Sequence, residues 1–113
     1  MKSTIVIPNF NGMEYLGKCL DSILADTSEH PVRILVIDNG STDGSCELAE
    51  RAPGVEVIRM GENRGFCEAV NMGIRASDTP YVILLIIDLT IENGFVEAME
   101  EALDGDPKAF SAV

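Results

Sequence analysis

Apolar residues fall along this chain in two rhythms that alternate from end to end. Thr4–Pro8 (T-I-V-I-P) is a short apolar run stopped by a proline, the pattern of a buried strand. Met13–Ala25 changes period: Leu16, Leu20, Ile23 and Leu24 stand at i, i+4, i+7 and i+8, one stripe along a helix. Val32–Asp38 (V-R-I-L-V-I-D) predicts a second strand, and Ser45–Arg51 a short helix that ends before Pro53. Val55–Arg59 alternates, as a strand with one wetter side does, and Phe66–Ala76 predicts a helix with Ala69, Val70 and Ile74 turned inward. Tyr81–Ile87 is uninterrupted and apolar, the pattern expected of a strand covered on both faces of its sheet. Gly94–Leu103 predicts an amphipathic helix with Phe95, Met99 and Leu103 inward and Glu97, Glu100 and Glu101 on a solvated face. Phe110–Val113 begins a further strand-like run.

Strands alternating with helices at this spacing imply right-handed crossovers and a mainly parallel sheet in three α/β/α layers. Without a linker, repeat or low-complexity stretch, residues 1–113 read as one domain. In a parallel sheet the loops that follow the strands share one rim, where ligands bind. Those loops are Asn9-Phe10-Asn11-Gly12, then Asn39-Gly40-Ser41-Thr42-Asp43-Gly44 after Asp38, then Gly61-Glu62-Asn63-Arg64-Gly65, and the segment at Asp88. The loops at the other end, around Ser28-Glu29-His30, Ala52-Pro53-Gly54 and Ser77-Asp78-Thr79-Pro80, are plainer connectors. The concentration of Asn, Gly and Asp on one rim is the functional signal.

Composition narrows the classes. Eight Lys and Arg against nineteen Asp and Glu leave a net charge of -11, a field that repels nucleic acid. No apolar run reaches the ~18 residues of a transmembrane helix, and Met1-Lys2-Ser3-Thr4 enters a strand without the apolar core of a signal peptide. Cys19, Cys46 and Cys67 are odd in number and widely spaced, which predicts buried reduced thiols in a cytoplasmic protein rather than a disulfide framework or zinc knuckle. The single His30 leaves a histidine metal site or triad nothing to work with.

Asp38 closes a nearly all-apolar strand, so its carboxylate is either a turn-capping group or an acceptor aimed at a ligand's ring N–H or ribose hydroxyl. Asp43, ahead of Gly44 and a short helix, reads as an N-cap. Gly12-Met13-Glu14-Tyr15-Leu16-Gly17-Lys18-Cys19 nearly spells a phosphate-binding loop, but Cys19 lacks the metal-binding hydroxyl and Leu16 belongs to a helical stripe. No G-x-G-x-x-G occurs, against a dinucleotide oxidoreductase. An acidic receiver domain needs acids after the first strand, where Asn9 and Asn11 stand, and the Asn39-Gly40-Ser41 sequon means nothing without secretion.

Several stretches, taken in order, carry a family resemblance. Ile5-Val6-Ile7-Pro8-Asn9-Phe10-Asn11-Gly12 is followed by Leu16 and Cys19-Leu20-Asp21-Ser22, then by Val36-Ile37-Asp38-Asn39-Gly40-Ser41-Thr42-Asp43-Gly44-Ser45. Asn63-Arg64-Gly65-Phe66, Ala69, Asn71-Met72-Gly73-Ile74 and Tyr81-Val82-Ile83-Leu84-Leu85 continue in order. Together they resemble the opening of family 2 glycosyltransferases, closest to rhamnosyltransferase-like members, over essentially the whole chain. The resemblance implies the GT-A fold and a rim that binds a nucleotide-diphospho-sugar for transfer to an acceptor in polysaccharide or cell-surface glycan synthesis. It places Pro8, Asn9 and Asn11 beside the nucleoside, Asp38 on a UDP or dTDP base, and Asn63, Arg64 and Gly65 on the ribose–sugar side. Arg64 is the cation of these rim loops, which a dianionic diphosphate approaching an acidic protein requires.

The chain also departs from the family. After Leu84-Leu85 the family has Asn or Asp, any residue, then Asp; here Ile86-Ile87-Asp88 keeps only the last acid. Asp88 is the expected ligand for Mg or Mn, weakened because Ile86 cannot ligate. Family members also continue into an acceptor-binding half that carries the catalytic base, so no base is assigned here and the chain reads as the donor half. These departures support the rival reading, a non-catalytic nucleotide- or protein-binding module derived from a transferase. Tyr81–Ile87, without strands from that second half, is expected to be an open edge through which the protein self-associates.

Overall fold

The computed structural model describes residues 2–26, 31–87 and 94–105. Expectations for His30, Asp88 and Phe110–Val113 therefore lie outside the described residues. The elements run β1 (Ser3–Asn9), α1 (Met13–Asp26), β2 (Arg33–Asp38), α2 (Ser45–Arg51), β3 (Val55–Arg59), α3 (Phe66–Ala76), β4 (Tyr81–Leu84) and α4 (Phe95–Gly105). The strands form one sheet in the order β3-β2-β1-β4, and every pairing is parallel. The chain steps from β1 to β2 and β3 on one side and returns to β4 on the other, so the topological switch lies at β1.

Two apolar layers sandwich the sheet. Ile5, Ile7, Ile34, Val36, Ile83 and Leu85 meet Leu16, Leu20 and Ile23 of α1, Ala49 of α2 and Val96 and Met99 of α4. Val6, Leu35 and Ile37 point the other way, onto Ala69 of α3. Alternate side chains of β1 and β2 thus bury on opposite faces, which is why those segments read as continuous apolar runs. Each fully buried aliphatic side chain stabilises by about 1.5–3 kcal/mol.

The fourth strand is shorter than its apolar run. The β1–β4 ladder joins Val6 to Leu84 and ends with the Leu85 amide on the Val6 carbonyl at 3.0 Å. The next bond would need an N–H from residue 8, and Pro8 has none. Nor are both faces covered: Ile83 and Leu85 are buried against α1 and α4, whereas Leu84 and Ile86 are about two-fifths exposed. Helix α3 packs mainly on β1 and β2; on that side of β4 Val82 joins the layer, and Leu84 stays partly exposed.

Helix α3 is rotated from the predicted face. Ala69 and Gly73 are its buried residues and Ile74 is half exposed. A Cβ on Gly73 would stand 2.3 Å from Val6 Cγ1, so the helix approaches the sheet through its small residues, and Ile74 is carried aside. Helix α4 also differs, since Glu100 is buried beside Val96 and Met99 and accepts a hydrogen bond from the Ser3 hydroxyl. Asp26, at the end of α1, caps α4 by accepting the Gly94 and Val96 amides at 2.5 and 3.2 Å. Cys19 and Cys46 are buried and in no disulfide; Cys67, expected inside, is exposed on the outer side of α3.

Candidate functional site

The rim is built outward from two adjacent strand ends. Asn9 and Asp38 are register partners, and the Asn39 amide extends the ladder onto the Asn9 carbonyl at 2.8 Å. The Asn9 amide nitrogen donates to Asp38 Oδ1 at 3.0 Å, to Ser45 Oγ at 2.9 Å and, longer, to Ser41 Oγ at 3.2 Å. Asp38 Oδ2 accepts the Ser41 amide at 3.0 Å. Asn9 and Asp38 are 1% and 3% exposed, so this carboxylate is held by neutral donors in a nearly dry setting. Asn9 Oδ1 has no partner among the described residues. A Cβ at Gly12 would lie 2.5 Å from that oxygen and 2.0 Å from Ile87 Cδ1, so a larger residue there would have to displace both side chains.

The loop after β2 is stitched to the loop after β1. Asn11, in a left-handed conformation (φ 51°), accepts the Thr42 amide on its side-chain oxygen at 2.8 Å and donates its own amide to Ser41 Oγ at 2.9 Å. Asp43 does more than cap one helix. Gly44 occupies the N-cap position of α2 and makes no side-chain bond, while Asp43 Oδ1 accepts the Ser45 amide and Oδ2 accepts the Met13 amide that opens α1. The Ser45 hydroxyl and these amides pull the Asp43 carboxyl below the ordinary aspartate range. Nearby, burial and then the Asp38 charge push the Cys46 thiol up to about 11.

The loop after β3 docks on Asn39 and Gly40. Asn39 Oδ1 accepts the Arg64 amide at 2.9 Å and its Nδ2 donates to the Gly65 carbonyl at 3.1 Å. Gly40 (φ 88°) lies so close that a Cβ would sit 2.9 Å from Glu62 Cα. Asn63 closes its own turn by accepting the Gly65 amide at 2.9 Å. The Arg64 side chain is half exposed, with Glu62 Oε1 3.4 Å from its Nε. Arg59, at the tip of β3, is instead gripped by Glu50 of α2, which raises its already high pKa.

A cleft of about 230 Å³ opens between these loops, lined by Pro8, Asn9, Phe10, Asn39, Asn63 and Phe66. It is smaller than the roughly 300–1,000 Å³ of most small-molecule sites, room for one ring system rather than a whole nucleotide sugar. Of the sequence-predicted residues, Pro8, Asn9 and Asn63 line it. Asp38 lies under Asn9, Asn11 is engaged by the neighbouring loop, and Arg64 and Gly65 stand on the adjoining exposed turn. Phe10, Phe66 and Asn39 were not singled out as site residues. The signal for the first two is an aromatic ring in or directly after a polar loop that follows a strand, Phe10 within its loop and Phe66 opening α3, each about half exposed.

Among the described residues no three His, Cys, Asp or Glu side chains come together as a metal site, and Ile86 offers only hydrocarbon. No helix among them is long and apolar enough to cross a membrane.

The family model described as "Glycosyl transferase family 2" matches residues 4–113. Among curated proteins, the N-acetylglucosaminyl-diphospho-decaprenol L-rhamnosyltransferase of Mycobacterium tuberculosis is 34% identical over 108 residues, covering 82% of this chain and 35% of its own length. Among solved structures, the mannosyltransferase PcManGT of Pyrobaculum calidifontis, in complex with GDP-Man and Mn2+, superposes with a TM-score of 0.82 at 24% identity, over 96% of this chain and 33% of that one. S. aureus TarS 1-349 in complex with UDP gives 0.80 at 20% identity, over 93% of this chain and 32% of that one. The chain thus spans about a third or less of the length of the relatives it matches.

Proposed function

This chain belongs to glycosyl transferase family 2, with the GT-A arrangement of a parallel sheet between helices, and on that footing we propose that it is the donor half of a transferase. The ligand is a nucleotide-diphospho-sugar, with UDP or dTDP as the leaving group and a glycan precursor as acceptor. The observation that carries this reading is the cleft itself: a ring-sized opening between three C-terminal strand loops, with the Asp38 carboxylate bonded beneath Asn9 and the Arg64 guanidinium half exposed on the adjoining turn. The complexes of two structural neighbours with UDP and with GDP-Man support the ligand class.

In this reading Pro8, Asn9 and Asn11 border the nucleoside, with the rings of Phe10 and Phe66 offering stacking surface. Among the described residues each Asp38 oxygen accepts one hydrogen bond, and the base N–H or a ribose hydroxyl is placed against a second acceptor position. Asn63, Arg64 and Gly65 take the ribose–sugar side, where Arg64 offsets charge that builds on the departing diphosphate. A divalent ion, when bound at Asp88 through the donor's phosphate oxygens, would supply further charge neutralisation; Ile86 makes that contribution small. Cys19, Cys46 and Cys67, none of them in a disulfide, support a reducing, cytoplasmic setting. The exposed outer side of β4, with Leu84 and Ile86, is the proposed self-association edge, and a concentration-independent monomer in light scattering would remove it.

The deciding measurement is a thermal-shift and calorimetric panel of UDP, dTDP, GDP and CDP, with and without Mn. Saturating ligand at one hundred times its Kd stabilises the fold by about 2.7 kcal/mol. UDP or dTDP should raise the melting temperature with weak Mn dependence, and no heat at millimolar nucleotide in either condition defeats the proposal. The second reading, a binding module without turnover, is favoured by Ile86 at the metal position. Nucleotide binding with no sugar transfer or donor hydrolysis by the longest natural form of the protein would select it.

A further inference from the structure

The Asn39 side chain brackets Arg64-Gly65 from both ends, accepting the Arg64 N–H and donating to the Gly65 carbonyl. It is 5% exposed, and its own backbone amide is fixed to Asn9. Two further contacts hold the same seam, Gly40 against the Glu62 backbone and the Met60 amide on the Asp38 carbonyl at 2.8 Å, while Asn63 closes the 61–65 turn on itself. The position of Arg64 is therefore set from Asp38 through one intervening residue, although the two lie on different loops. Their natural targets are opposite ends of one ligand, the base and the diphosphate.

We propose that Asn39 is a positioning residue that couples base recognition at Asp38 to diphosphate binding at Arg64. The inference rests on the donor-binding reading above and adds to it a specific residue and a specific partition of affinity. Without the Asn39 fork, the 61–65 turn keeps Arg64 but loses the fixed distance between guanidinium and base floor. Each diphosphate bound would then have to order that turn at its own entropic cost. A bare nucleoside, which does not reach Arg64, would not register the change.

The test uses Asn39→Ala and Asn39→Asp, with uridine and UDP as calorimetric probes and amide hydrogen exchange at Arg64 as a ligand-free readout. Asn39→Asp keeps an acceptor for the Arg64 amide but loses the donor to Gly65 and adds a carboxyl in a place 5% exposed, so circular dichroism and urea unfolding check that both variants are folded before their affinities are compared. The expected result is that Asn39→Ala lowers UDP affinity five- to twentyfold and uridine affinity less than twofold. Exchange of the Arg64 amide should accelerate at least tenfold in Asn39→Ala, with Asn39→Asp between it and the natural protein. In an Arg64→Ala background, Asn39→Ala should cost UDP less than twofold, because the group it positions is gone. Equal losses for uridine and UDP, or unchanged exchange at Arg64, would overturn the coupling while leaving donor binding intact. If the natural protein binds UDP no more tightly than uridine, donor binding at this rim fails, and the coupling fails with it.

Discussion

Asn9→Asp is the substitution that most directly tests the rigid carboxylate under the cleft. It exchanges the amide nitrogen that donates to Asp38 Oδ1 at 3.0 Å for an oxygen, in a place 1% exposed to solvent. Losing a hydrogen bond to a charged group costs about 1.5–3 kcal/mol. Two negative charges about 4 Å apart repel by about 4 kcal/mol at an effective dielectric of ~20. The fold can avoid that repulsion by keeping one proton on the pair, which also restores a hydrogen bond. At about 1.36 kcal/mol per unit, the introduced carboxyl then titrates roughly 3 units above its value of about 3.9 in the unfolded chain. A folded-state pKa raised in this way means the folded form holds a proton that the unfolded form releases. Stability is fully present below about pH 4 and falls as pH rises toward about 7. Urea unfolding of the variant should therefore show a deficit of about 4 kcal/mol at pH 7 and about 1 kcal/mol at pH 4.5, each relative to the natural protein at the same pH. A deficit equal at the two pH values, or below about 1 kcal/mol at pH 7, would refute a dry, directly bonded Asn9–Asp38 pair.

Other outcomes follow from the same geometry. The Cys46 thiol, pushed up to about 11 by burial and by Asp38, should resist alkylation at pH 8 while exposed Cys67 reacts, as read by mass spectrometry of the folded protein. The Asp43 carboxyl is held low, so its stabilisation is present above the unfolded aspartate range and is lost as pH falls through its own lower midpoint. A carboxyl-carbon NMR titration should place that midpoint below an ordinary aspartate's. Gly73→Ala brings a methyl to within 2.3 Å of Val6, and an overpacking cost of about 1–3 kcal/mol exceeds the ~1 kcal/mol gain in helix propensity. Combined with Val6→Ala, it should cost at least about 1 kcal/mol less than the two changes summed, and additivity in denaturant melts would exclude the contact. Ile86→Asp, at a two-fifths exposed position, should steepen the Mn dependence of UDP binding; an unchanged Mn titration would count against Asp88 as a ligand.

Local pattern alone determined the element order, the parallel sheet and the rim that carries the polar loops. The helices Ser45–Arg51 and Phe66–Ala76 and the strand Val55–Arg59 appear with the bounds their periodicity predicts. That legibility follows from burial on both faces of β1 and β2, which forces apolar runs no other arrangement would require. Pairing geometry decided the rest. Pro8 ends the β1–β4 ladder only because even-numbered residues of β1 face β4, a fact that depends on register and not on composition. Glu100 is buried because Ser3 lies opposite it across most of the chain's length, so nothing local distinguishes it from Glu97 or Glu101. The motif around Asp38 was visible as a string, but its partner Asn9 is joined to it by strand register, and Asn39 reaches Arg64 across a loop contact. Spacing along a chain records which residues can share an element. Which side chains meet at the rim is decided by the order and register in which those elements assemble.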